Sequence, residues 1–270
     1  MTNEFSTLTL TVDGGVAELR MNRPERANSL NRPMWHELRE AANALDADPQ
    51  VRVVVLSGNG KHFCSGIDLA MLGEFGDGPS DRGRASEAIR RTILDLQDVL
   101  SSFERCRVPV LAAIHGACVG AGLDLAVACD LRFASEDAQF VLKEVDMGLA
   151  ADVGVLQRLP RIVGEGVARE LAYTCRPVSG REAAELRLVN RCFATADEMT
   201  KGVLDLAREL AAKSPLAMRG TKQAITYARD HTIADGLDQI ATWNAGMLLS
   251  VDLEESVKAF TEKRPGNYVD

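Results

Sequence analysis

The stretch VPVLAAIHGACVGAGLDLAVACDLRFA, residues 108–134, carries the plan of the whole chain. Val108–Ile114 is a near-continuous apolar run, as expected of a strand buried on both faces. Gly116, Gly120 and Gly122 punctuate the turn that follows. Ala121–Ala128 then reads as a short helix and Leu131–Ala134 as another strand. Strands alternating with helices in this way predict an α/β domain built on crossover connections.

Working outward, the same plan recurs upstream. Thr7–Asp13 and Val16–Met21 alternate apolar and polar around Gly14 and Gly15, which predicts a β-hairpin. Asn31, Arg32 and Pro33 open a helix carrying Trp35, Leu38, Ala41, Ala42 and Leu45 at helical spacing. Val51–Leu56 is a second buried strand, and His62–Leu69 a second glycine turn between strand and helix. Gly73–Arg84, rich in Gly, Asp, Pro and Ser, reads as a mobile loop, and Ser86–Arg105 as an amphipathic helix. Val153–Leu159 reads as helical. From Gly164 on, helices dominate: Gly164–Tyr173, Gly180–Glu185, Ala196–Lys213, Pro215–Arg229, Ile233–Leu249 and Asp252–Glu262. The change near Ala194–Asp197 predicts a core over residues 1–195 and a helical region over 196–270.

The bulk numbers narrow the function. The 270 residues have a net charge of −8, which argues against a nucleic-acid partner or an anionic membrane surface. The six cysteines show no CxxC pairing and no metal-ligand spacing with the four histidines, so no metal is expected. No signal peptide, membrane span or peroxisomal C-terminus is read, and a cytoplasmic location is the expectation.

Chemistry concentrates in two kinds of segment. At the two glycine turns, free backbone N–H groups and the helix dipole favour negative charge, and two such groups aimed at one point make an oxyanion hole. The alternative is that the glycines only permit tight turns. The other segment is KEVDMGLAAD, residues 143–152, which places Glu144, Asp146 and Asp152 among mostly apolar residues. Carboxylates in an apolar pocket are costly unless used or paired, and two of them can hold different protonation states for acid/base work. Against this, Asp152 is a plausible N-cap of the helix that follows it. Asp146, two residues from Glu144, points the same way if the segment is extended, and reads as structural. His62 and His115 flank the turns, but no hydroxyl nucleophile with a histidine–acid relay is read there.

Asn22-Arg23-Pro24, HFCSGIDL, GACVGAGLDLAVACD and LQRLPRIVG, in this order, resemble the crotonase (enoyl-CoA hydratase/isomerase) superfamily over nearly the whole chain. The resemblance implies the crotonase fold, a spiral of ββα units with a C-terminal helical trimerisation region. It implies acyl-CoA thioesters as substrates, with no separate cofactor because coenzyme A is part of the substrate, and a homotrimer or dimer of trimers. Matching positions assign the oxyanion-hole N–H groups to Ile67 and Ala121. They assign substrate and CoA contacts to Arg26, Ala27, Ser65, Gly66, Ile67, Asp68 and Gly122, with Phe260 and Lys263 reaching a neighbouring subunit's CoA.

Hydratases of the family carry two glutamates where this chain has Asp124 and Glu144, and glycine where it has Asp152. The trio Asp124, Glu144 and Asp152, in the string KEVDMGLAADVG, resembles the Δ3,5-Δ2,4-dienoyl-CoA isomerase branch. That implies an isomerase of unsaturated fatty-acid β-oxidation, with Glu144 and Asp152 moving protons at C2 and C6 and Asp124 orienting or tuning them. The alternatives are an enoyl-CoA hydratase using Asp124 and Glu144 on water, and a non-catalytic acyl-CoA-binding protein.

Overall fold

In the computed structural model, which describes residues 5–74 and 80–269, the first elements are β1 (Leu8–Asp13) and β2 (Val16–Met21), joined at Gly14 and Gly15. They pair antiparallel, with Asp13 opposite Val16. Helix α1 (Arg32–Ala47) begins where Asn31 Oδ1 accepts the Met34 N–H at 3.1 Å, a side-chain cap with proline in the first turn. Then come β3 (Val53–Gly58), α2 (Leu69–Glu74), α3 (Arg82–Arg105) and β4 (Val110–Ile114). The expected mobile loop over Gly73–Arg84 is thus helical at both ends, and its middle, 75–79, lies outside the described residues.

The segment quoted first folds as β4, then β5 (Ala117–Val119), α4 (Ala121–Ala128) and β6 (Leu131–Ser135). Next come β7 (Gln139–Val141), α5 (Val155–Val163), α6 (Glu165–Thr174), β8 (Val178–Ser179), α7 (Gly180–Glu185) and β9 (Arg191–Phe193). The chain finishes with α8 (Ala196–Ala211), α9 (Pro215–Ala228), α10 (Ile233–Met247) and α11 (Val251–Glu262).

The main sheet has the order β1-β2-β3-β4-β6-β9, parallel from β2 onward. Side chains alternate across a strand, so the sheet feeds two apolar layers. Leu19, Val54, Leu56, Ala112 and Ile114 join the larger core under α1, α3 and α4. Val16, Val53, Val55, Leu111 and Phe133 join a second core against Met199, Val203, Ala207 and Ala211 of α8. Burial on both faces is why β3 and β4 read as unbroken apolar runs. A small sheet, β5-β7-β8, stands beside the main one and carries the second glycine turn. Lys222 of α9 is tied to the main sheet by Asp130 at 2.7 Å and by the Val108 carbonyl at 2.9 Å.

Helices α10 and α11 and the turn between them present apolar residues to solvent in the single chain, with Ile233 85%, Leu249 94% and Phe260 87% exposed. Among the described residues, no helix is long and apolar enough to cross a membrane, and no group of His, Cys, Asp and Glu side chains has the arrangement of a metal site.

Candidate active site

The two glycine turns lie side by side because a strip of backbone pairs them. The Cys64 N–H donates to the Ala117 carbonyl at 2.9 Å, and the Val119 N–H to the Cys64 carbonyl at 3.0 Å. Gly66 has φ +100° and packs on the second turn, where a Cβ would lie 2.9 Å from the Val119 carbonyl oxygen. Only glycine is at ease there. On its other side the first turn is pinned to the chain before α1: Leu30 donates to the Gly66 carbonyl at 2.8 Å, and Asp68 to the Leu30 carbonyl at 3.0 Å. Among the described residues, nothing in the protein accepts from the N–H groups of Ile67 and Ala121, and both residues line one cavity.

That cavity, about 320 Å³, is walled largely by apolar side chains, among them Leu72, Ile89, Ile93, Leu96, Met147 and Leu149. Ser65, Gly66, Gly120, Glu144 and Asp152 complete it. Glu144 sits over the second turn: a Cβ on Gly120, itself at φ +50°, would come within 3.2 Å of Glu144 Oε1. Glu144 Oε2 is buried and has no hydrogen-bond partner in the protein. Burial pushes the Glu144 carboxyl above the usual range, and the charge of Asp152 adds to the shift. Asp152 is open to solvent in the single chain, yet it lines the same cavity and partial burial raises its carboxyl too.

Asp124 stands behind this pair, not on the cavity wall. It is completely buried in α4, and its Oδ1 accepts the Val155 N–H at 2.5 Å while Oδ2 is unpartnered. Burial, then the charges of Glu144 and Asp152, push its carboxyl up to about 8. With its carboxyl raised to about 8, Asp124 keeps its proton at neutral pH behind the two cavity acids. The arrangement places two carboxyls at one apolar cavity beside two free N–H groups, which suits proton transfer next to a polarised carbonyl.

Two readings of the acids are corrected. Asp152 does not cap α5, which starts at Val155 behind Gly154 at φ +132° with no side-chain cap bond. Glu144 and Asp146 are not neighbours on a strand, because Val145–Met147 forms a single 3-10 turn. Asp146 swings out to an exposed ion pair with Lys143 at 2.6 Å.

The remaining assigned residues divide. Ala27 abuts the cavity rim, its carbonyl accepting the Ser65 N–H at 3.0 Å. Arg26 is exposed nearby on a short 3-10 turn. Asp68 is engaged with Arg23 at 3.1 Å, and its carboxyl is held below the usual range by the Ala70 N–H and by Arg23. Gly122 faces Cys64, where a Cβ would meet the Cys64 carbonyl at 2.7 Å, so it sets how closely α4 approaches the first turn. Phe260 and Lys263 are exposed and do not line the cavity of their own chain. His62 Nδ1 accepts from the Ala117 N–H at 3.1 Å, and His115 Nε2 bonds the Gly60 carbonyl at 2.9 Å, so both rings fasten turns. Cys64 is sealed in the core, and burial pushes its thiol up to about 12.

Sequence reasoning missed Asn28. It is fully buried at φ +53°, and its side chain bonds the Arg23 N–H and the carbonyls of Asn59 and His62. An asparagine just after the Arg23–Arg26 loop is the available signal, since asparagine tolerates the left-handed conformation.

A family model described as enoyl-CoA hydratase/isomerase matches residues 11–270. The peroxisomal Delta(3,5)-Delta(2,4)-dienoyl-CoA isomerase of Arabidopsis thaliana is 49% identical over 255 residues, covering 93% of this chain and 92% of that one. The mitochondrial enzyme of the same name from Mus musculus is 44% identical over 252 residues, covering 92% and 77%. Among solved structures, an enoyl-CoA hydratase from Bacillus anthracis superposes with a TM-score of 0.89 at 30% identity, covering 98% of this chain and 99% of that one. A putative enoyl-CoA hydratase from Streptomyces coelicolor A3(2) gives a TM-score of 0.91 at 31% identity, covering 99% and 96%.

These relatives overturn the cytoplasmic expectation, for those named as isomerases are peroxisomal or mitochondrial proteins. The expectation rested on the lack of a recognised address, and an absence selects no compartment. The fold and the two paired turns agree with a match that runs nearly end to end: the chain belongs to the enoyl-CoA hydratase/isomerase family.

Proposed function

We propose that the protein is a dienoyl-CoA isomerase that converts a 3,5-dienoyl-CoA into a 2,4-dienoyl-CoA in the oxidation of unsaturated fatty acids. The observation that carries this reading is the presence of Glu144 and Asp152 on one apolar cavity, with Asp124 buried behind them. The dienoyl-CoA isomerases among the relatives, at 37–49% identity over most of the chain, support it.

The thioester carbonyl oxygen lies between the N–H groups of Ile67 and Ala121, and the acyl chain runs along the apolar wall. One member of the Glu144/Asp152 pair, ionised, takes a proton from C2. The electron pair left behind spreads through the diene onto the carbonyl oxygen as a dienolate. The other member, protonated, delivers its proton at C6, and the two double bonds now stand at C2 and C4. One proton is taken and one given, so no oxidant, metal or separate cofactor takes part, and coenzyme A arrives on the substrate. Burial raises the proton affinity of both carboxyls, which favours their exchanging protons with the substrate. Each N–H donor to such an oxyanion is worth roughly 3 kcal/mol of barrier.

The working form in this reading is a homotrimer or dimer of trimers, supported by the apolar residues exposed on α10 and α11. Phe260 and Lys263, away from their own cavity, then serve the CoA of a neighbouring subunit.

The hydratase alternative needs two acids flanking a cavity water. Asp124 is off the cavity wall and has one oxygen committed to Val155, which disfavours it. The test is a pair of ultraviolet assays, with a 3,5-dienoyl-CoA and with a 2-enoyl-CoA. Growth of the 2,4-dienoyl chromophore supports the isomerase, whereas fast loss of the 2-enoyl chromophore without dienoyl conversion overturns it. Asp152→Asn lowers the isomerase rate by about 10²–10³ if Asp152 exchanges a proton with the substrate. Near-wild-type turnover would remove it from the mechanism.

A further inference from the structure

Val153 lines two cavities at once: the apolar one that holds the acids, and a polar one behind it. The polar cavity contains Gln97, Ser101 and Glu104 of α3 together with Arg158 of α5. Residues 97, 101 and 104 fall on one helical face, so α3 presents an amide, a hydroxyl and a carboxylate in a row.

Each takes part in one construction. Gln97 Nε2 donates to the backbone carbonyl of Asp152 at 2.5 Å. Glu104 receives both arms of the Arg158 guanidinium, Nε at 3.1 Å and Nη2 at 3.0 Å, and Ser101 Oγ accepts from Nη2 at 3.0 Å. Glu104 also holds Arg229 at 2.5 Å. The third nitrogen, Nη1, occupies the place of a side chain at residue 154, where a Cβ would lie 1.9 Å from it. A side chain at 154 would be strained at φ +132° and would push the guanidinium aside. One residue further on, the Val155 N–H makes its bond to Asp124.

The segment from Asp152 to Val155 is thus held at its start by Gln97, and it leads directly into α5, which Arg158 ties to Ser101 and Glu104 of α3. A two-armed guanidinium–carboxylate pair fixes direction as well as distance. This pair is poorly exposed, at 13% and 20% of its side chains, so water screens it little.

We propose that Arg158 and Gln97 are positioning residues for the isomerisation, a clamp on the back of the Asp152–Val155 segment that sets Asp152 against the acyl chain and Val155 against Asp124. This rests on the isomerase reading above. Arg158 touches no reacting atom; it acts through the start of α5, which it ties to α3, and its charge offsets part of the repulsion that Glu144 and Asp152 exert on Asp124.

The test uses the full-length protein with Arg158→Met, Arg158→Lys and Gln97→Ala. Arg158→Met lowers kcat about 30- to 100-fold with KM within about twofold, since the fault is in aiming and not in binding. Arg158→Lys recovers part of that loss, because it restores the charge without the fork. Gln97→Ala costs about tenfold in kcat. Carbon-13 NMR of labelled aspartate carboxyls, with the Asp124 signal identified by Asp124→Asn, gives a readout free of turnover. The Asp124 midpoint rises in Arg158→Met and returns toward wild type in Arg158→Lys. Unchanged kcat and an unmoved midpoint, with only the melting temperature lowered, would overturn the clamp. If Arg158→Met does not fold, Gln97→Ala decides: full kcat at wild-type stability sinks the proposal. A wild-type protein that fails to convert a 3,5-dienoyl-CoA defeats the isomerase reading alone, and the Asp124 titration still judges the clamp.

Discussion

The two halves of the site are built by different means. The glycine turns at Cys64–Asp68 and Ala117–Asp124 are fixed by main-chain pairing, with N–H and C=O groups of one turn bonded to those of the other. The acid-bearing segment from Glu144 to Val155 has little such pairing, and side chains from distant helices hold it. Main-chain pairing survives almost any side-chain change that avoids the glycines. Side-chain support changes with each residue that supplies it. The part that stabilises a dienolate is therefore insensitive to drift, while the part that decides where protons go can be retuned by single substitutions.

Substitutions at four positions sharpen or break this contrast. The largest effect belongs to Glu144→Gln, which keeps the shape and removes the proton exchange. A rate loss of about 10³ is expected, with no change in melting temperature beyond about 2 °C. A rate within tenfold of wild type would mean that Asp152 alone serves both carbons.

Next is Asp124→Asn, whose effect is on stability. The folded protein holds this proton up to about pH 8, whereas an unfolded aspartate loses it near pH 4. Between those values the folded state binds the extra proton, so stability falls as pH rises and the favourable contribution is complete only at the acid end. Wild type should lose on the order of 3 kcal/mol between pH 5 and pH 7.5 through this group. Asp124→Asn should flatten that slope in chemical denaturation at the two pH values, and equal slopes would show that Asp124 does not hold the proton.

Gly66→Ala tests the main-chain half. The added methyl is strained at φ +100° and meets the Val119 carbonyl, so the Ile67 N–H moves off its aim. A loss of about 10² in kcat/KM is expected in the ultraviolet assay, and wild-type kinetics would show that the first turn has slack. The smallest effect is Asp146→Asn, which breaks only an exposed ion pair with Lys143. Activity should stay within twofold and stability within about 0.5 kcal/mol.

Legibility in the sequence follows the same division. Elements set by local rules were readable: the hairpin at Gly14 and Gly15, the Asn31 cap, and α4 from Ala121 to Ala128. The short strands β5, β7, β8 and β9 escaped, because two or three residues carry no period to read. Glu144 and Asp152 were recognisable as acids out of place. Their surroundings were not, since Gln97 and Asp152 are 55 positions apart and meet only after folding. The reading of Asp152 as a cap failed for a related reason. The position that starts α5 is given to Gly154, whose φ of +132° suits no residue with a side chain, and the Arg158 guanidinium lies in the space beside it.

Helix α8 closes the second face of the main sheet, burying Val16, Val53, Val55, Leu111 and Phe133 under residues that begin at Ala196. For a chain made from its N-terminus, this orders events in time. The hairpin, β3 and β4 are synthesised with one side of the sheet bare, and it stays bare until Ala211 has emerged. Until then the longest-buried strands of the finished protein are its most adhesive surface. A nascent chain halted at residue 195 should therefore be a client for chaperones, and one halted after Ala211 should be far less so.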